Sequence, residues 1–310
     1  MEIQIDQTRQ EDAASPLPPT TLIICSRNRP QLLSETVASI LEGIEVPTEL
    51  VIIDQSSQQN YNLARLEGKR ECDIRHIWVH TVGLGRSRNT GIAEARYELL
   101  AITDDDIKVT PTWFGSLMRA LIKAGPQGVV SGRVLSTEAE LPGGFAPSTK
   151  LAEASAVYEG RILIDALFTG NMAMYKSVVA HIGLFDERLG AGSAFPSAED
   201  NDFGFRLLEA GYRIFYAPEA ILYHRAWRSE KAYLNLRWNY GVGRGGFYAK
   251  HLSLRDRYIL KRMLKDIIVH FELFLRRTRG EYRQVFGDAV LAFGIIYGAI
   301  KWLMTQRRTN

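Results

Sequence analysis

Cysteine is nearly absent from this sequence, which has only Cys25 and Cys72 among 310 residues. Two thiols are too few for a disulfide framework, and nothing near them has the spacing of a zinc site. We therefore expect a reducing compartment and a fold held together by apolar burial. Because 46% of the residues are hydrophobic, the chain can bury a sizeable core.

Long apolar runs and targeting signals are also missing. Residues 289–304 form a sixteen-residue apolar run with one lysine, shorter than the roughly 20 residues that span a bilayer. Residues 1–19 lack the basic start and apolar stretch of a secretory signal, so we expect a disordered lead-in. The segment "GLGRSRNTG" matches neither a dinucleotide-binding fingerprint nor a Walker loop, which disfavours both kinds of site.

Charge is unevenly distributed along the chain. The formal net charge is +3, but residues 250–310 contain 13 Lys and Arg against 5 Asp and Glu. That segment has an excess of eight positive charges, so the preceding residues sum to minus five. An acidic body with a basic tail predicts a polyanionic partner for the tail.

Apolar strand-like runs alternate with helical patterns in the first third of the chain. The runs are "TTLIICS" (20–26), "ELVIIDQSS" (49–57), "IRHIWVH" (74–80) and "YELLAITDDD" (97–106). This alternation predicts an α/β fold with a parallel sheet and crossover helices. Ligands gather at the carboxyl ends of the strands in such sheets, where Asp54 and the Asp104–Asp106 cluster lie.

The rest of the chain has a mixed pattern. We predict strands near 128–134 and 161–168, then a helix from about residue 198 that Gly211 ends, then a strand at "YRIFYA". Beyond Ser229 the pattern is helical to the end, with a glycine-rich interruption at 241–247.

Three consecutive carboxylates follow the fourth apolar run. On an extended segment the side chains of Asp104 and Asp106 point to the same side, and Asp105 points elsewhere. Asp104 and Asp106 could together chelate one hard cation, for which Mg²⁺ or Mn²⁺ is suitable. The alternative is a solvated acidic turn, although such a loop would gain nothing from the repulsion among its charges.

A second acidic cluster occurs at "SAEDND". Glu199 or Asp200 could act as a general base at the mouth of the same cleft. Ser197 and Asp200 also match a capping box, and acids favour a helix N-terminus in any case, so the two interpretations are compatible. His224, at the end of an apolar strand pattern, is either structural or a further ligand of the same metal.

Four arginines occupy the loops after the first and third strands, at Arg27, Arg29, Arg86 and Arg88. The forked donors of arginine suit phosphate, and these loops fall on the predicted ligand side of the sheet. Solvated loop arginines are the alternative. Their position beside an acidic metal site favours a diphosphate ligand.

Eight segments occur in the order found in family 2 glycosyltransferases of the GT-A fold, and the chain resembles that family over residues 20–250. The segments are "TLIICSRNRP", "ELVIIDQSS", "VGLGRSRNTGI", "LLAITDDD", "GNMAMYK", "IGLFDERL", "AEDNDFGFRLLEAGYRI" and "AILYH". The resemblance implies a GT-A fold, with a Rossmann-like, mixed but mostly parallel sheet flanked by helices. The helical pattern beyond it separately predicts a C-terminal helical extension over 251–310. It also implies an enzyme that takes a sugar from a nucleotide diphosphate sugar and inverts the anomeric centre in a single displacement.

The resemblance further implies roles on the donor side. Arg27 and Asp54 are similar to nucleotide-contacting positions, with Asp54 facing the base. Arg88 is similar to the basic position near the base and phosphates. Gly170 and Asn171, in "FTGNMAMYK", resemble the segment that lines the donor sugar.

Metal and base roles follow from the same resemblance. Asp104 and Asp106 match the DxD pair that holds Mn²⁺ or Mg²⁺ on the diphosphate, and Asp105 counts among the nucleotide-sugar-binding residues. His224 corresponds to a further metal or phosphate contact. Asp200 matches the base that deprotonates the acceptor hydroxyl, with Glu199 as its companion.

Two other functions compete with this one. A nucleotidyltransferase would use a similar acidic metal site but would need a glycine-rich basic loop after its first strand, and "SRNRP" has no glycine. A catalytically inactive sugar-nucleotide-binding scaffold would have lost its base, whereas "TDDD" and "AED" are intact.

The expected partners are a nucleotide diphosphate sugar and a hydroxyl acceptor, either a glycan or a lipid-linked saccharide. Residues 255–310 form a basic, amphipathic extension, for which we expect peripheral contact with an anionic membrane on the cytoplasmic face. Packing against the catalytic domain or a second copy of the chain is the alternative. No recognition motif accompanies the basic tail, so no nucleic acid partner is expected.

Overall fold

The computed structural model of the chain is built around one mixed sheet. It describes residues 15–59, 72–225, 227–253, 255–276 and 282–306. The expected lead-in over residues 1–19 falls mostly outside these described residues.

Nine strands of the described residues form the sheet, in the order β3-β2-β1-β4-β8-β6-β9-β5, with β7 paired to β9. The strands are β1 (Thr20–Ser26), β2 (Glu49–Asp54), β3 (Asp73–Trp78), β4 (Leu99–Asp104), β5 (Ile107–Val109), β6 (Gly128–Ser136), β7 (Ala156–Tyr158), β8 (Asn171–Tyr175) and β9 (Arg213–His224). Strands β1 to β4 are mutually parallel, and β8 is antiparallel to both of its neighbours. This sheet, flanked by helices, confirms the predicted α/β fold class.

Eight α-helices of the described residues surround or extend the sheet. They are α1 (Pro30–Leu41), α2 (Leu84–Glu94), α3 (Trp113–Ala124), α4 (Val178–Ile182), α5 (Glu199–Glu209), α6 (Tyr233–Lys250), α7 (Tyr258–Arg276) and α8 (Tyr282–Gln306). A short 3₁₀ turn at Glu230–Ala232 precedes α6. The predicted stop of α5 is confirmed, since Gly211 has a φ of 83° that suits glycine.

Alternating strand residues build a separate core on each face of the sheet. On one face, Leu22 and Ile24 of β1 pack with side chains of α1 and α3. On the other, Ile23 and Cys25 of the same strand pack with α2, α4 and α5. Both layers are needed because parallel strands are apolar on both sides.

Two predicted elements are wrong. Residues 161–168 form no strand, because β6 pairs with β8 (Asn171–Tyr175) and β9 instead, and the segment runs as a loop along the site. The glycine-rich segment 241–247 does not interrupt a helix but lies inside α6.

Close helix packing explains those glycines. A Cβ on Gly241 would lie 2.4 Å from the Leu291 carbonyl oxygen of α8, and one on Gly245 would lie 2.1 Å from that of Ile295. Glycine therefore allows the backbones of α6 and α8 to touch, as small residues do at tight helix crossings. The C-terminal helices thus pack against α6 rather than extending freely.

Helix α8 is longer than the sixteen-residue apolar run within it. Its segment Gln284–Thr305 is long and apolar enough to cross a membrane by length and composition, and half of it is buried inside the protein. Core helices that are half covered by neighbouring helices commonly share these properties.

Candidate active site

Three side chains of types that can bind a metal ion meet at the carboxyl ends of β4 and β9. Strand β5 pairs antiparallel with β9 so that Ile107 lies opposite His224, which brings the adjacent Asp106 to the histidine. The ligand atoms of Asp104, Asp106 and His224 all lie within 4.8 Å of one another. His224 Nε2 is 3.1 Å from Asp106 Oδ1.

Asp105 points away from this cluster into the protein. Its carboxylate is fully buried, accepts a hydrogen bond from the Ser26 hydroxyl at 2.6 Å and pairs with Arg29 at 2.5 Å. Burial raises the pKa of Asp105 to about 7, although the charge of Arg29 opposes that rise. Asp105 was expected to bind the nucleotide sugar, but it lines neither of the two cavities described below.

Asp106 carries a stable negative charge. Burial alone would raise its pKa, but the hydrogen bond with His224 and the charge of Arg29 hold the pKa below its usual range. Conversely, burial lowers the pKa of His224, and the hydrogen bond and charge of Asp106 raise it to a net value above normal. The two groups stabilise each other's charged forms.

The donor set fits a divalent cation. Two carboxylates and an imidazole are suitable ligands for Mn²⁺ or Mg²⁺, with room for oxygen ligands from a substrate. The buried Nδ1 of His224 has no hydrogen-bond partner among the described residues, so the imidazole is not fully used by the protein itself. We infer that Asp104, Asp106 and His224 are competent to hold such an ion.

Arg88, in the first turns of α2, connects the two acidic clusters. Its guanidinium donates to Glu199 Oε1 at 3.0 Å and to Asp104 Oδ1 at 3.3 Å. The Arg88 side chain is only 2% exposed, and its partners Glu199 and Asp104 are 11% and 21% exposed where they line the cavity described below. Sequence reasoning placed Arg88 near phosphates but did not foresee that it joins the two clusters.

A cavity of about 450 Å³ has residues of both clusters on its walls, although Asp106 is not among them. Asp104 and His224 line one part of it, and Glu199 and Asp200 line another. Burial, together with repulsion from Glu199 and Asp165, raises the pKa of Asp200 to about 7. A carboxylate with that pKa in a cleft is suited to accept a proton near neutral pH.

Local backbone geometry places Asp200 in the first turn of α5. Ala198, the residue before the helix, has a left-handed φ of 71°. The Ser197 hydroxyl donates to the carbonyl oxygens of Asn239 and Tyr240 in α6, so it makes no cap, and the predicted capping box with Asp200 is wrong. The hydroxyl instead ties the start of α5 to α6.

A second cavity of about 250 Å³ adjoins the first at Asp104 and His224. Arg27 and Arg228 line it, and neither has a described carboxylate partner within salt-bridge distance. Of the other predicted phosphate-binding arginines, Arg29 pairs with Asp105 and Asp106, and Arg86 pairs with Glu187 at 2.8 Å. Sequence reasoning did not identify Arg228 as a site residue. The only signal in the sequence is its position four residues after His224.

Gly170 lies where the donor sugar was expected. It lines the first cavity, and a Cβ there would lie 2.3 Å from Asp104 Oδ2, so only glycine lets the backbone approach that carboxylate. Its neighbour Asn171 is fully buried and bonds Trp113 Nε1 and the carbonyl oxygens of Arg133 and Ala220. Asn171 therefore holds strands together and does not line the cavity, contrary to expectation.

Asp54 also occupies a different position from the one expected. Its carboxylate is fully buried, where it bonds the Ser56 amide at 2.9 Å and His76 Nε2 at 3.1 Å. It lines neither cavity. In this conformation Asp54 shapes the loop after β2 and has no free edge for a base.

Two further residues of the cavity wall were not foreseen in the sequence. Asp165, in the loop before β8, and Arg244, in α6, line the first cavity beside Asp200. Arg244 Nη2 is 3.3 Å from Asp165 Oδ2, and its Nη1 is 3.1 Å from Asp266 Oδ2 of α7. Helix α7 of the extension thus contacts a residue of the wall near the general-base candidate.

Two curated relatives match about two thirds of the chain. Hyaluronan synthase of Pasteurella multocida is 23% identical over 66% of this chain and 24% of its own length. Pre-mycofactocin glycosyltransferase of Mycobacterium tuberculosis (strain ATCC 25618 / H37Rv) is 27% identical over 71% of this chain and 48% of its own length. The chain therefore spans a quarter to a half of the length of these relatives.

A solved structure shares the fold over nearly the whole chain. The mannosyltransferase PcManGT of Pyrobaculum calidifontis, solved in complex with GDP-Man and Mn²⁺, superimposes with a TM-score of 0.59 at 13% identity. The match covers 94% of this chain and 92% of that one. At this identity the likeness shows the fold alone, which is the GT-A fold expected from the sequence.

The sequence profile of "Glycosyl transferase family 2" matches residues 21–182, the half of the chain that supplies β1 to β8 and the two aspartates of the metal cluster. With that match, and with the same fold in a solved glycosyltransferase, this chain belongs to glycosyl transferase family 2.

Proposed function

We propose that this chain transfers a sugar from a nucleotide diphosphate sugar to an acceptor hydroxyl, with inversion at the anomeric carbon. One observation carries the proposal. A single cavity has Asp200, with a pKa of about 7, on one wall and Asp104 and His224 of the metal cluster on another, while Asp106 lines the adjoining cavity. Arg88 links the two parts of the site, because its buried guanidinium pairs with Asp104 of the metal cluster and with Glu199, the neighbour of Asp200.

Asp200 acts as the general base. The acceptor oxygen attacks the anomeric carbon, the bond from that carbon to the diphosphate oxygen breaks, and the hydroxyl proton passes to an Asp200 carboxylate oxygen. A hydroxyl is a poor nucleophile unless its proton has somewhere to go, and general bases contribute about 10²–10⁴ in rate. A single displacement from the face opposite the leaving group gives inversion.

The opposite part of the site receives the donor. Asp104, Asp106 and His224 would hold Mn²⁺ or Mg²⁺, which when bound supplies positive charge to the diphosphate. Arg27 and Arg228 face the adjoining cavity, where their donors can reach phosphate oxygens. The presence of GDP-Man and Mn²⁺ in the solved mannosyltransferase of the same fold supports this assignment.

The acceptor class follows from the relatives and the cavity together. The cavity of about 450 Å³ is open and partly polar, which suits a saccharide. The name of the hyaluronan synthase relative is that of a polysaccharide-forming enzyme. We therefore assign the acceptor to a glycan or a lipid-linked saccharide of cell-surface polysaccharide biosynthesis, used at the cytoplasmic side of the membrane.

A panel of nucleotide diphosphate sugars, incubated with the protein and Mn²⁺, tests this function. We expect one donor to raise the melting temperature and to be hydrolysed slowly, with release of the nucleoside diphosphate. Asp200→Asn should keep the thermal shift and lose hydrolysis. Release of pyrophosphate would instead indicate a nucleotidyltransferase, and binding without turnover would indicate a scaffold; either result would contradict the proposal.

A further inference from the structure

Helices α7 and α8 share an outward apolar face that no described part of the chain covers. On α7 it consists of Leu264, Ile268 and Leu275, and on α8 of Phe293, Ile300 and Met304, with exposed fractions from 46% to 77%. Their spacings of four and seven residues put each set on one side of its helix. The Phe271 and Phe293 rings, with centroids 5.6 Å apart, join the two helices at this face.

A basic row runs beside the apolar residues of α7. Lys261 and Lys265 are one turn apart and exposed, and neither has a described ion-pair partner. Arg276 is on the same side of the helix, where its contact with Glu272 is a loose 3.7 Å at the surface. An apolar row with a flanking basic row is the surface pattern of helices that lie in a membrane interface.

The inner side of α8 is already used. Leu291, Ile295 and Trp302 are at most 3% exposed and belong to clusters with Phe247 and Val242 of α6. A helix held in this way lies along the protein surface, so its outward apolar side can enter a bilayer only in the interfacial plane. Spanning a membrane would require α8 to leave α6.

We propose that the outward face of α7 and α8 docks this protein on an anionic lipid bilayer. The charges favour lipid over a second copy of the chain. In a two-fold dimer that pairs the two α7 helices antiparallel through this face, the Lys261–Lys265 row of one copy would approach the like row of the other. A bilayer rich in anionic headgroups complements that row and takes up the apolar side chains.

Docking through this face would also orient the site, a consequence that rests on the proposed function. A cavity of about 380 Å³ lies between the loop at Leu163 and α7, and Lys265 and Val269 of the outward side line it. It shares Asp165 and Arg244 with the cavity that holds Asp200. An acceptor carried on a lipid could therefore reach the base from the membrane side.

Vesicle flotation with the full chain tests the docking, and it needs no enzymatic activity. We expect binding to vesicles of phosphatidylcholine mixed with phosphatidylglycerol, weaker binding at high salt, and little binding to phosphatidylcholine alone. Lys261→Gln with Lys265→Gln should lower binding on the order of 30-fold. Ile268→Ser with Ile300→Ser should lower it by at least about tenfold.

Matched controls come from the opposite side of the sheet. Ile122→Ser with Lys123→Gln changes an exposed apolar and an exposed basic residue on α3, and it should leave binding unchanged. Equal loss in the control pair would overturn the proposal. So would binding that ignores lipid charge, or a dimer in light scattering that the Ile268 and Ile300 changes convert to monomer.

Discussion

At the scale of single residues, Arg88 determines the geometry of the site more than any other described side chain. It is a buried cation that two carboxylates from different elements share, Asp104 at the end of β4 and Glu199 at the start of α5. A lysine would not replace it, because the rigid planar guanidinium presents Nη1 to Glu199 and Nη2 to Asp104, whereas a lysine ammonium is one compact charge on a flexible stem. The two acidic clusters are therefore positioned by one rigid group.

Removing that group should destabilise the fold strongly. Arg88→Met leaves Asp104 and Glu199 without their cation, and loss of one partner of a buried pair costs about 3–5 kcal/mol. Arg86→Met is the matched control, since its pair with Glu187 is about half exposed and should cost less than about 1 kcal/mol. The free energy of unfolding from urea titration checks both variants. A similar small loss in the two would contradict the bridging role.

The pH dependence of the reaction should reveal Asp200. Its carboxylate accepts a proton only when ionised, and burial with repulsion from Glu199 and Asp165 raises its pKa to about 7. We expect kcat/KM to rise with pH up to about 7 and then level off, falling about tenfold per pH unit on the acid side. Asp200→Asn should reduce turnover by about 10²–10⁴ and remove this acid limb. A profile that levels off near pH 4 would assign the base elsewhere.

Part of the site could be predicted from residues alone and part could not. Asp104, Asp106 and His224 follow apolar strand patterns, so their place at one sheet edge was accessible from sequence. The pairing of Arg29 with Asp105 was not, because it depends on how close the loop after β1 comes to Asp105 in the folded chain. For the same reason Asn171 and Asp54 could not be distinguished from exposed ligands, since burial is a property of the whole fold.

At the scale of elements, α6 shows how a distant partner overrides local preference. Glycine lowers helix propensity by about 1 kcal/mol relative to alanine, so a segment with four glycines between 241 and 246 predicts a break. The helix continues because α8, about fifty residues later, packs its backbone against those glycines. The strands of the first half were predictable because their apolar, β-branched residues favour an extended backbone, which is also the conformation that the sheet requires.

Gly245→Ala should therefore destabilise the protein although alanine is the better helix former. Its Cβ would meet the Ile295 carbonyl oxygen at 2.1 Å, and a backbone cannot move aside as a side chain can. We expect a loss of about 2 kcal/mol, in the range of overpacked cores. Gly115→Ala in α3 is the control, because there the atoms met are the ends of the flexible Glu45 and Arg119 side chains. The free energy of unfolding of both variants is measured by urea titration. An unchanged value for Gly245→Ala would contradict the tight crossing of α6 and α8.

At the scale of the whole molecule, the helical extension and the domain before it share an apolar core. The division expected at residue 250 falls between α6 and α7, yet Phe247 of α6 and Leu291 of α8 belong to one apolar cluster. Arg244 of α6 reaches both Asp165 in the cavity wall and Asp266 of α7. The basic tail is thus anchored to the acidic body through apolar packing and partly buried ion pairs.

A chain that ends at residue 250 should fold poorly. It would expose Val242 and Phe247, which are at most 3% exposed in the full chain, together with the glycine surface of α6. We expect a lower soluble yield and a lower melting temperature than for a chain that ends at residue 306, the matched control. Equal melting temperatures for the two would show that residues 20–250 are an independent domain.

Titration of the nucleoside diphosphate into the protein, with and without Mn²⁺, tests the central claim most directly. Asp104, Asp106 and His224 should hold the ion that the diphosphate needs, so tight binding should require Mn²⁺ in the unchanged protein. Asp106→Asn, nearly the same size, should lose the effect of Mn²⁺ while circular dichroism shows a folded chain. Binding of equal strength without Mn²⁺, or an unchanged Mn²⁺ effect in Asp106→Asn, would contradict the account.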